Sequence, residues 1–336
     1  MSGKKRFAVV GYGHMGKRHV RAIGEHPDCV LTAVIDMHPQ QELSGIPFYK
    51  DLDHFLETSD AAETDVVVIA TPNGLHAQHA LKCLDARKHV LIEKPMALNS
   101  ADAEAIIAKA ANVQRQVFVM MQNRFSPVST WLKEVVDSGV LGKIFLVQVN
   151  CFWNRDERYY KKGSWHGTKE MDGGVLFTQF SHFIDLLLWC FGDLTNIQAK
   201  LNNFSHGNSI EIEDTGIVQF DFVNGGMGCL SYSTAVWDKN LESCITVIAE
   251  NGSIKVGGQY MERVEYSHIK DYVLPLSEEI MHQKDGHQII LKTTNHYVIL
   301  DSILSVLKKN ECPTGIEKDG WKVVDIIQAI YKNHTG

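Results

Sequence analysis

Arg6-Phe7-Ala8-Val9-Val10-Gly11-Tyr12-Gly13-His14-Met15-Gly16 is a short apolar run that empties into a glycine-rich turn, and the pattern that follows to about Glu25 has helical spacing. Strand, glycine turn and helix in that order open a dinucleotide-binding βαβ unit when an acid arrives about 20 residues on. Asp36 meets that condition, because it ends the next apolar run, Val30-Leu31-Thr32-Ala33-Val34-Ile35. Gly11 then permits the tight turn, Gly13 lets the backbone approach a pyrophosphate, and Gly16 allows close helix packing. Tyr12, His14 and Met15 complete the turn, and the helix N-terminus faces the phosphates. Asp36 is expected to take the adenosine ribose hydroxyls. Its carboxylate repels a 2′-phosphate and no arginine follows it in Met37-His38-Pro39, so NAD is the expected cofactor and NADP is disfavoured.

Units of the same kind continue outward from this turn. Pro47-Phe48-Tyr49 reads as a short strand, Asp51 to Glu57 as a helix, and Asp65-Val66-Val67-Val68-Ile69-Ala70 as a strong strand. After Thr71-Pro72-Asn73-Gly74-Leu75-His76 a helix runs to about Arg87, and His89-Val90-Leu91-Ile92 leads into Glu93-Lys94-Pro95. A helix over about Ser100 to Asn112 and a strand at Val117-Phe118-Val119-Met120-Met121 follow, before Gln122-Asn123-Arg124-Phe125. Strands alternating with helices predict a parallel, doubly wound sheet. Proline keeps the residue before it out of the helical region, which puts Lys94 in a turn just past a strand's carboxyl end, the edge where such sheets bind ligands.

From Lys143 the texture changes to β-patterned runs without regular helices between them: Lys143 to Phe152, Asp193 to Leu201, Thr215 to Phe222, Gly228 to Thr234 and Glu242 to Ala249. These predict an open, mostly antiparallel sheet with one face available for association. The expected fold class is therefore α/β plus α+β. A Rossmann domain would occupy residues 1–125, and a substrate-binding and oligomerisation domain residues 126–336. Two final helices, Thr294 to Lys309 and Gly320 to Asn333, are expected to pack back on the molecule. In the last of them Trp321, Val324, Ile327 and Ile330 read as core.

A net charge of -7 argues against nucleic acid as the main partner, since such proteins need clustered cations. No apolar run approaches the roughly 18 residues of a membrane span, and the first strand begins within a few residues of Met1, leaving no room for a signal peptide. A cytoplasmic protein is expected. Seven scattered cysteines without CxxC spacing predict reduced thiols and no metal site.

In Gly173-Gly174-Val175-Leu176-Phe177-Thr178-Gln179-Phe180-Ser181-His182-Phe183-Ile184-Asp185, helical spacing places Thr178, His182 and Asp185 on one face. That trio is expected to face a pocket, with His182 as an acid-base candidate. The segment from Phe152 to Lys169 mixes cations with aromatics: Arg155 and the Lys161-Lys162 pair suit a diphosphate or carboxylate, and aromatic faces such as Tyr159, Tyr160 and Trp165 suit a nucleobase or sugar ring.

Together the glycine turn, Ala70-Thr71-Pro72-Asn73 with His76, Glu93-Lys94-Pro95 and Gln122-Asn123-Arg124-Phe125 resemble the glucose-fructose oxidoreductase / inositol dehydrogenase / rhizopine-catabolism family, over nearly the whole chain. The resemblance implies that Lys94 lies at the nicotinamide and the substrate, and that Thr71, Pro72, Asn73, His76, Glu93, Gln122 and Arg124 line the cofactor. In that family an Asp four residues before the helix histidine completes a Lys, Asp and His set. Here Thr178 stands in its place, so no mechanism that needs a carboxylate at 178 carries over. Residues 152–169, the Gly173-Gly174 helix start and Asn240-Leu241-Glu242 resemble the branch that oxidises UDP-N-acetyl-glucosaminuronic acid at C3, where that Asp is also replaced by an uncharged polar residue.

The implied reaction is NAD-dependent oxidation of a secondary hydroxyl of a nucleotide-linked sugar, with His182 as base and the Lys94 ammonium stabilising oxyanion character. Arg155, Tyr159, Tyr160, Trp165, Thr178 and Gln179 are the expected substrate contacts beside Lys94 and His182. Two other readings stay open: a dehydrogenase of a free sugar, inositol or dihydrodiol, and a cofactor-binding regulator without turnover. The expected partners are a small-molecule substrate and further copies of the chain, assembled through the second sheet.

Overall fold

The computed structural model describes residues 3–38, 43, 45–207, 209–273, 295–309 and 316–335. Those within Met1–Gln122 and Lys292–Asp325 pack into one compact unit, and those within Asn123–Leu291 and Ile326–Gly336 into a second.

In the first unit β1 (Lys5–Val10), β2 (Cys29–Ile35), β3 (Phe48–Tyr49), β4 (Val66–Ile69), β5 (His89–Ile92) and β6 (Val117–Val119) form one sheet in the order β3-β2-β1-β4-β5-β6. All its pairings are parallel. Phe7, Ala8 and Val9 of β1 and all four residues of β4 have no exposed surface. Strands this apolar are what a parallel sheet covered on both faces requires. The helices α1 (His14–Glu25), α2 (Leu52–Leu56), α3 (Ser59–Glu63), α4 (His76–Asp85) and α5 (Ser100–Val113) connect them. Local chemistry sets the helix ends. Asp51 and Asn99 cap α2 and α5 by accepting the His54 and Asp102 N–H groups, and α5 stops at Gln114 in the left-handed conformation. Strand order reverses between β1 and β4, which opens the crevice typical of doubly wound sheets.

The second unit is built on an eight-stranded sheet: β7 (Ile144–Phe152), β8 (Leu194–Asn202), β9 (Thr215–Phe222), β10 (Met227–Ser233), β11 (Glu242–Ala249), β12 (Gly252–Gly257), β13 (Arg263–Ile269) and the two-residue β14 (His334–Thr335). Their order is β13-β12-β11-β7-β10-β9-β8-β14. Only the β7/β10 and β8/β14 pairs are parallel. Two helices belong to this unit, α6 (Pro127–Asp137) and α7 (Ser181–Phe191). Just ahead of α7, Phe180 meets Tyr232 of β10, and Phe191 of α7 meets Phe222 of β9, so an aromatic layer joins this segment to one face of the sheet.

Strands β12 and β13 are absent from the sequence-based expectation. The first begins and ends on glycine and the second carries Arg263, Glu265 and His268, so neither shows a clean apolar run. β13 is the edge strand, where one flank needs no partner, β12 lies between it and β11, and the Lys255–Glu265 ion pair at 2.9 Å joins β12 to β13. The regular helix expected to carry Thr178, His182 and Asp185 is also corrected. Leu176–Phe180 forms a π-turn, and regular α-helix begins only at Ser181. Gly174 lies at φ +134°, and a Cβ there would sit 2.1 Å from the Tyr331 hydroxyl oxygen, so only glycine fits this turn.

The last two helices are α8 (Asn295–Lys309) and α9 (Ile316–Lys332). Thr294 lies outside the described residues. In the first unit His26, which caps the end of α1, stacks on Tyr297 of α8 and lies 3.1 Å from Asp301. Residues of α9 up to Asp325 are grouped with the first unit and those from Ile326 with the second. Val324, Ile327 and Ile330 are buried, whereas Trp321 keeps some exposure. The six described cysteines are free thiols. Among the described residues no helix is long and apolar enough to cross a membrane.

Candidate functional site

Because the first sheet is parallel, the ends of its strands gather one set of turns along a single edge. Backbone bonds tie that edge together: Gly11 donates to Ile35, Ala70 to Val10, Glu93 to Ile69 and Met120 to Ile92. Gly11, at φ +89°, packs against Ala70, whose carbonyl oxygen a Cβ would approach to 2.5 Å. A Cβ on Gly16 would overlap the Gly11 carbonyl, so packing alone demands that glycine. Gly13 differs, since a Cβ there meets nothing within 4 Å and no side chain caps α1, whose first N–H groups point outward. The Asp36 carboxylate accepts the Tyr12 N–H at 2.7 Å and the His38 N–H at 2.8 Å, which fixes its position while each oxygen keeps a further lone pair. This arrangement fits a dinucleotide: an open backbone cradle at a helix N-terminus, with a carboxylate held at the end of the next strand.

The other first-unit residues fall around this edge. His14 is exposed, and Met15, Thr71, Pro72 and Gln122 are partly exposed. Tyr12 presents only its backbone, because its ring is buried with Val34 and Leu43. Asn73 is buried, and so is His76, whose ring nitrogens lie 2.7 Å from the Pro95 carbonyl oxygen and 2.8 Å from that of Thr71. Burial pushes the His76 pKa down, and its ring ties two turns together and faces no open edge. Lys94 is half-buried between buried Glu93 and Pro95, with a cis bond to the proline. Glu93 reaches back to His19 of α1, 2.7 Å away, with both side chains almost wholly buried. His19 escaped sequence reading because nothing in the spacing of residues 74 apart announces the contact.

In the second unit the expected polar trio does not survive. Asp185 has no exposed surface, and its carboxylate takes the Arg124 fork, with Nε at 2.8 Å. The Arg124 guanidinium also lies 5.4 Å from the centre of the Trp189 ring. Sequence reading assigned Arg124 to the cofactor. The structure commits its fork to a buried ion pair, whose loss of either member would leave a charge stranded.

Thr178, Gln179 and His182 are buried, at 9%, 7% and 7% exposure, in and just after the π-turn. Gln179 is a junction: its oxygen accepts the Arg155 Nε–H at 2.8 Å and its amide donates to the Tyr159 hydroxyl at 2.7 Å. Arg155 is half-buried. Its other bonds go to the Asn154 carbonyl and the Asn240 side-chain oxygen, and it lies over the Trp153 and Tyr159 rings. All these partners are neutral, and burial lowers the Arg155 pKa. Tyr160 is buried against His206, Trp165 stacks on His166 at 4.0 Å, and Lys161 and Lys162 are exposed.

Three further residues in this unit were not foreseen. Burial, then the Arg155 charge, pushes His166 down to about 4, so it is a neutral ring at neutral pH. Asp172 is 1% exposed and accepts the Thr178 hydroxyl. Glu213 accepts from Tyr331 at 2.6 Å, Tyr232 at 3.1 Å and the Val175 N–H at 3.1 Å, holding the start of the π-turn. Burial raises Glu213 from 4.5 to about 7. The folded chain therefore keeps this proton over a pH range in which the unfolded chain has lost it. Stability from this group is full below about pH 4.5 and falls as pH rises toward 7, by on the order of 3 kcal/mol. Glu213→Gln is expected to flatten that part of the stability profile in urea titrations at successive pH values.

A doubly wound sheet with an open glycine turn at its switch point and a held carboxylate after the second strand defines a dinucleotide-binding protein of the NAD type. Residues 5–121 match the oxidoreductase family with an NAD-binding Rossmann fold, and residues 130–255 match the GFO/IDH/MocA C-terminal domain. The chain belongs to the GFO/IDH/MocA family of NAD-binding oxidoreductases. An oxidoreductase of Synechocystis is 26% identical over 282 residues, 79% of this chain and 73% of that protein. The WlbA dehydrogenase of Bordetella pertussis, solved with NADH and UDP-GlcNAcA, superposes with a TM-score of 0.85 at 28% identity, covering 98% of this chain and 96% of its own. The WlbA dehydrogenase of Chromobacterium violaceum, solved with the same two ligands, gives 0.89 at 30% identity, covering 99% and 94%.

Proposed function

We propose that this chain oxidises a secondary hydroxyl, at C3, of a nucleotide-linked uronate such as UDP-N-acetyl-glucosaminuronate. The observation that carries the reading is Arg155. A guanidinium that is partly desolvated, pre-aligned by Gln179 and Asn240 and matched by no carboxylate among the described residues is arranged for an anion that arrives with the substrate. The Trp153 and Tyr159 rings under the guanidinium hold it by cation–π contact and give its surroundings an aromatic character. The two ligands named for the WlbA structures agree with this chemistry.

Gly11, Gly13 and the N-terminus of α1 hold the diphosphate of the cofactor, and Asp36 its adenosine ribose. Bound NAD supplies the hydride acceptor. His182 takes the hydroxyl proton as the C–H bond breaks, and the Lys94 ammonium stabilises the oxygen while it carries negative charge. Asp36→Ala is expected to weaken NADH binding by about 10- to 100-fold, the worth of hydrogen bonds to a charged acceptor, as read by fluorescence titration.

The outward face of the second sheet is where we place association between copies. Met227 pairs with Leu146, which pairs with Ile248, and Ile217 lies two rows along on the same side. Uncharged Gln148, Gln219, Ser231 and Thr246 fill the spaces between them, a mixture suited to a buried interface.

The test is NADH formation with UDP-linked uronates against UDP-linked neutral sugars, free sugars and inositols. Turnover of the UDP-uronate in strong preference to the rest is the expected result, and activity confined to a free polyol would overturn the nucleotide-sugar assignment.

A further inference from the structure

A threonine hydroxyl donates one proton and accepts two, so what Thr178 can offer a ligand depends on where its proton goes. Asp172 offers it two acceptors. The side-chain Oδ1 makes a short contact with Thr178 Oγ1, and the main-chain carbonyl oxygen lies 3.1 Å away. The carboxylate is the stronger acceptor of the two. It is also fixed, because Oδ2 accepts the Gly167 N–H at 2.8 Å and the side chain is 1% exposed. Gly167 cannot be replaced without disturbing this, since a Cβ there would press on Ile210 at 2.5 Å. Burial, then the Asp172 negative charge, pushes the Tyr159 phenol up, which places that charge toward the Arg155, Gln179 and Tyr159 chain.

We propose that Asp172 is a positioning residue for the oxidation: by holding the Thr178 proton it makes Thr178 an obligate hydrogen-bond acceptor, four residues before His182, for an O–H or amide N–H of the substrate. The carboxylate polarises the hydroxyl it holds, so Thr178 accepts more strongly than a free hydroxyl while adding no charge of its own. A substrate group that can only accept is rejected at this position, because it would face lone pairs. The inference rests on the sugar-hydroxyl reading above.

Asp172→Asn separates this role from packing. The asparagine keeps the size and can still accept the Gly167 N–H, but its amide donates to Thr178 and releases the hydroxyl proton outward. With the UDP-uronate, kcat/KM is expected to fall about 10- to 100-fold, mostly through KM, while NADH affinity and thermal unfolding stay at the wild-type values. Thr178→Val is expected to fall as far, and the double variant no further, because the two residues act as a unit. Thr178→Ser, which keeps the hydroxyl, is expected to lose far less than Thr178→Val.

Thr178→Asp alone sets carboxylate against carboxylate and is expected to fail. Combined with Asp172→Asn it restores a charged acceptor and regains most of the loss. Wild-type kinetics in Asp172→Asn, losses that multiply in the double variant, or no recovery in the Thr178→Asp, Asp172→Asn pair would overturn the proposal. If the wild type oxidises no sugar or sugar nucleotide, the functional reading falls and this inference falls with it. An active wild type with an indifferent Asp172→Asn overturns the inference alone.

Discussion

Replacing Lys94 with alanine is expected to lower kcat with the UDP-uronate by about a thousandfold, the scale of losing a principal group that stabilises charge on the reacting oxygen. NADH affinity is expected to stay as it was. The turn that carries Lys94 is fixed through its neighbours, since Glu93 is bonded to His19 and the Pro95 carbonyl to His76. Truncating the lysine therefore removes an ammonium and leaves the turn in place. Stopped-flow measurement of NADH formation, with fluorescence titration of NADH on the same preparation, separates the two effects. Retained turnover would refute the assignment. Retained biological activity with retained NADH binding and no chemistry would point instead to a cofactor-binding regulator.

The second large effect is expected at Arg155. Arg155→Ala should raise KM for the UDP-uronate by about 100-fold and leave any residual turnover of free sugars unchanged, because a charged, forked hydrogen-bond donor is lost only where the substrate carries the matching anion. Arg155→Lys should recover a small part. Lysine restores the charge but cannot give Gln179 and Asn240 the planar fork that now aligns the group. Equal losses for charged and uncharged substrates would show that Arg155 supports the pocket and does not read the anion.

The Gly11 to Gly16 turn, Asp36 and the runs that became β4 and β5 were legible because their signals are local. A parallel strand buried on both faces has to be apolar throughout, and a tight turn has to be glycine, whatever the rest of the chain does. The edge strand β13 and its neighbour β12 left no such mark, since the end of a sheet that is exposed on one side is free to mix Gly, Lys and Glu. Helical periodicity misled between 176 and 185. It assumed 3.6 residues per turn across a π-turn, and it counted Asp185 as a free carboxylate when Arg124, 61 positions away, already held it.

Residue types and short spacings thus determined by themselves that this chain forms a dinucleotide-binding sheet followed by a second, mostly antiparallel one, with Lys94 in a turn at the first sheet's ligand edge. Tertiary structure alone decided which charges are spent and which are available. Arg124 is neutralised by Asp185, Arg155 is held among the described residues by neutral groups, and the proton of Thr178 goes to Asp172. The reason is physical: burial and hydrogen bonding between residues far apart in the chain set the state of a polar group, and no pattern along the sequence records which distant partner a fold will bring to it.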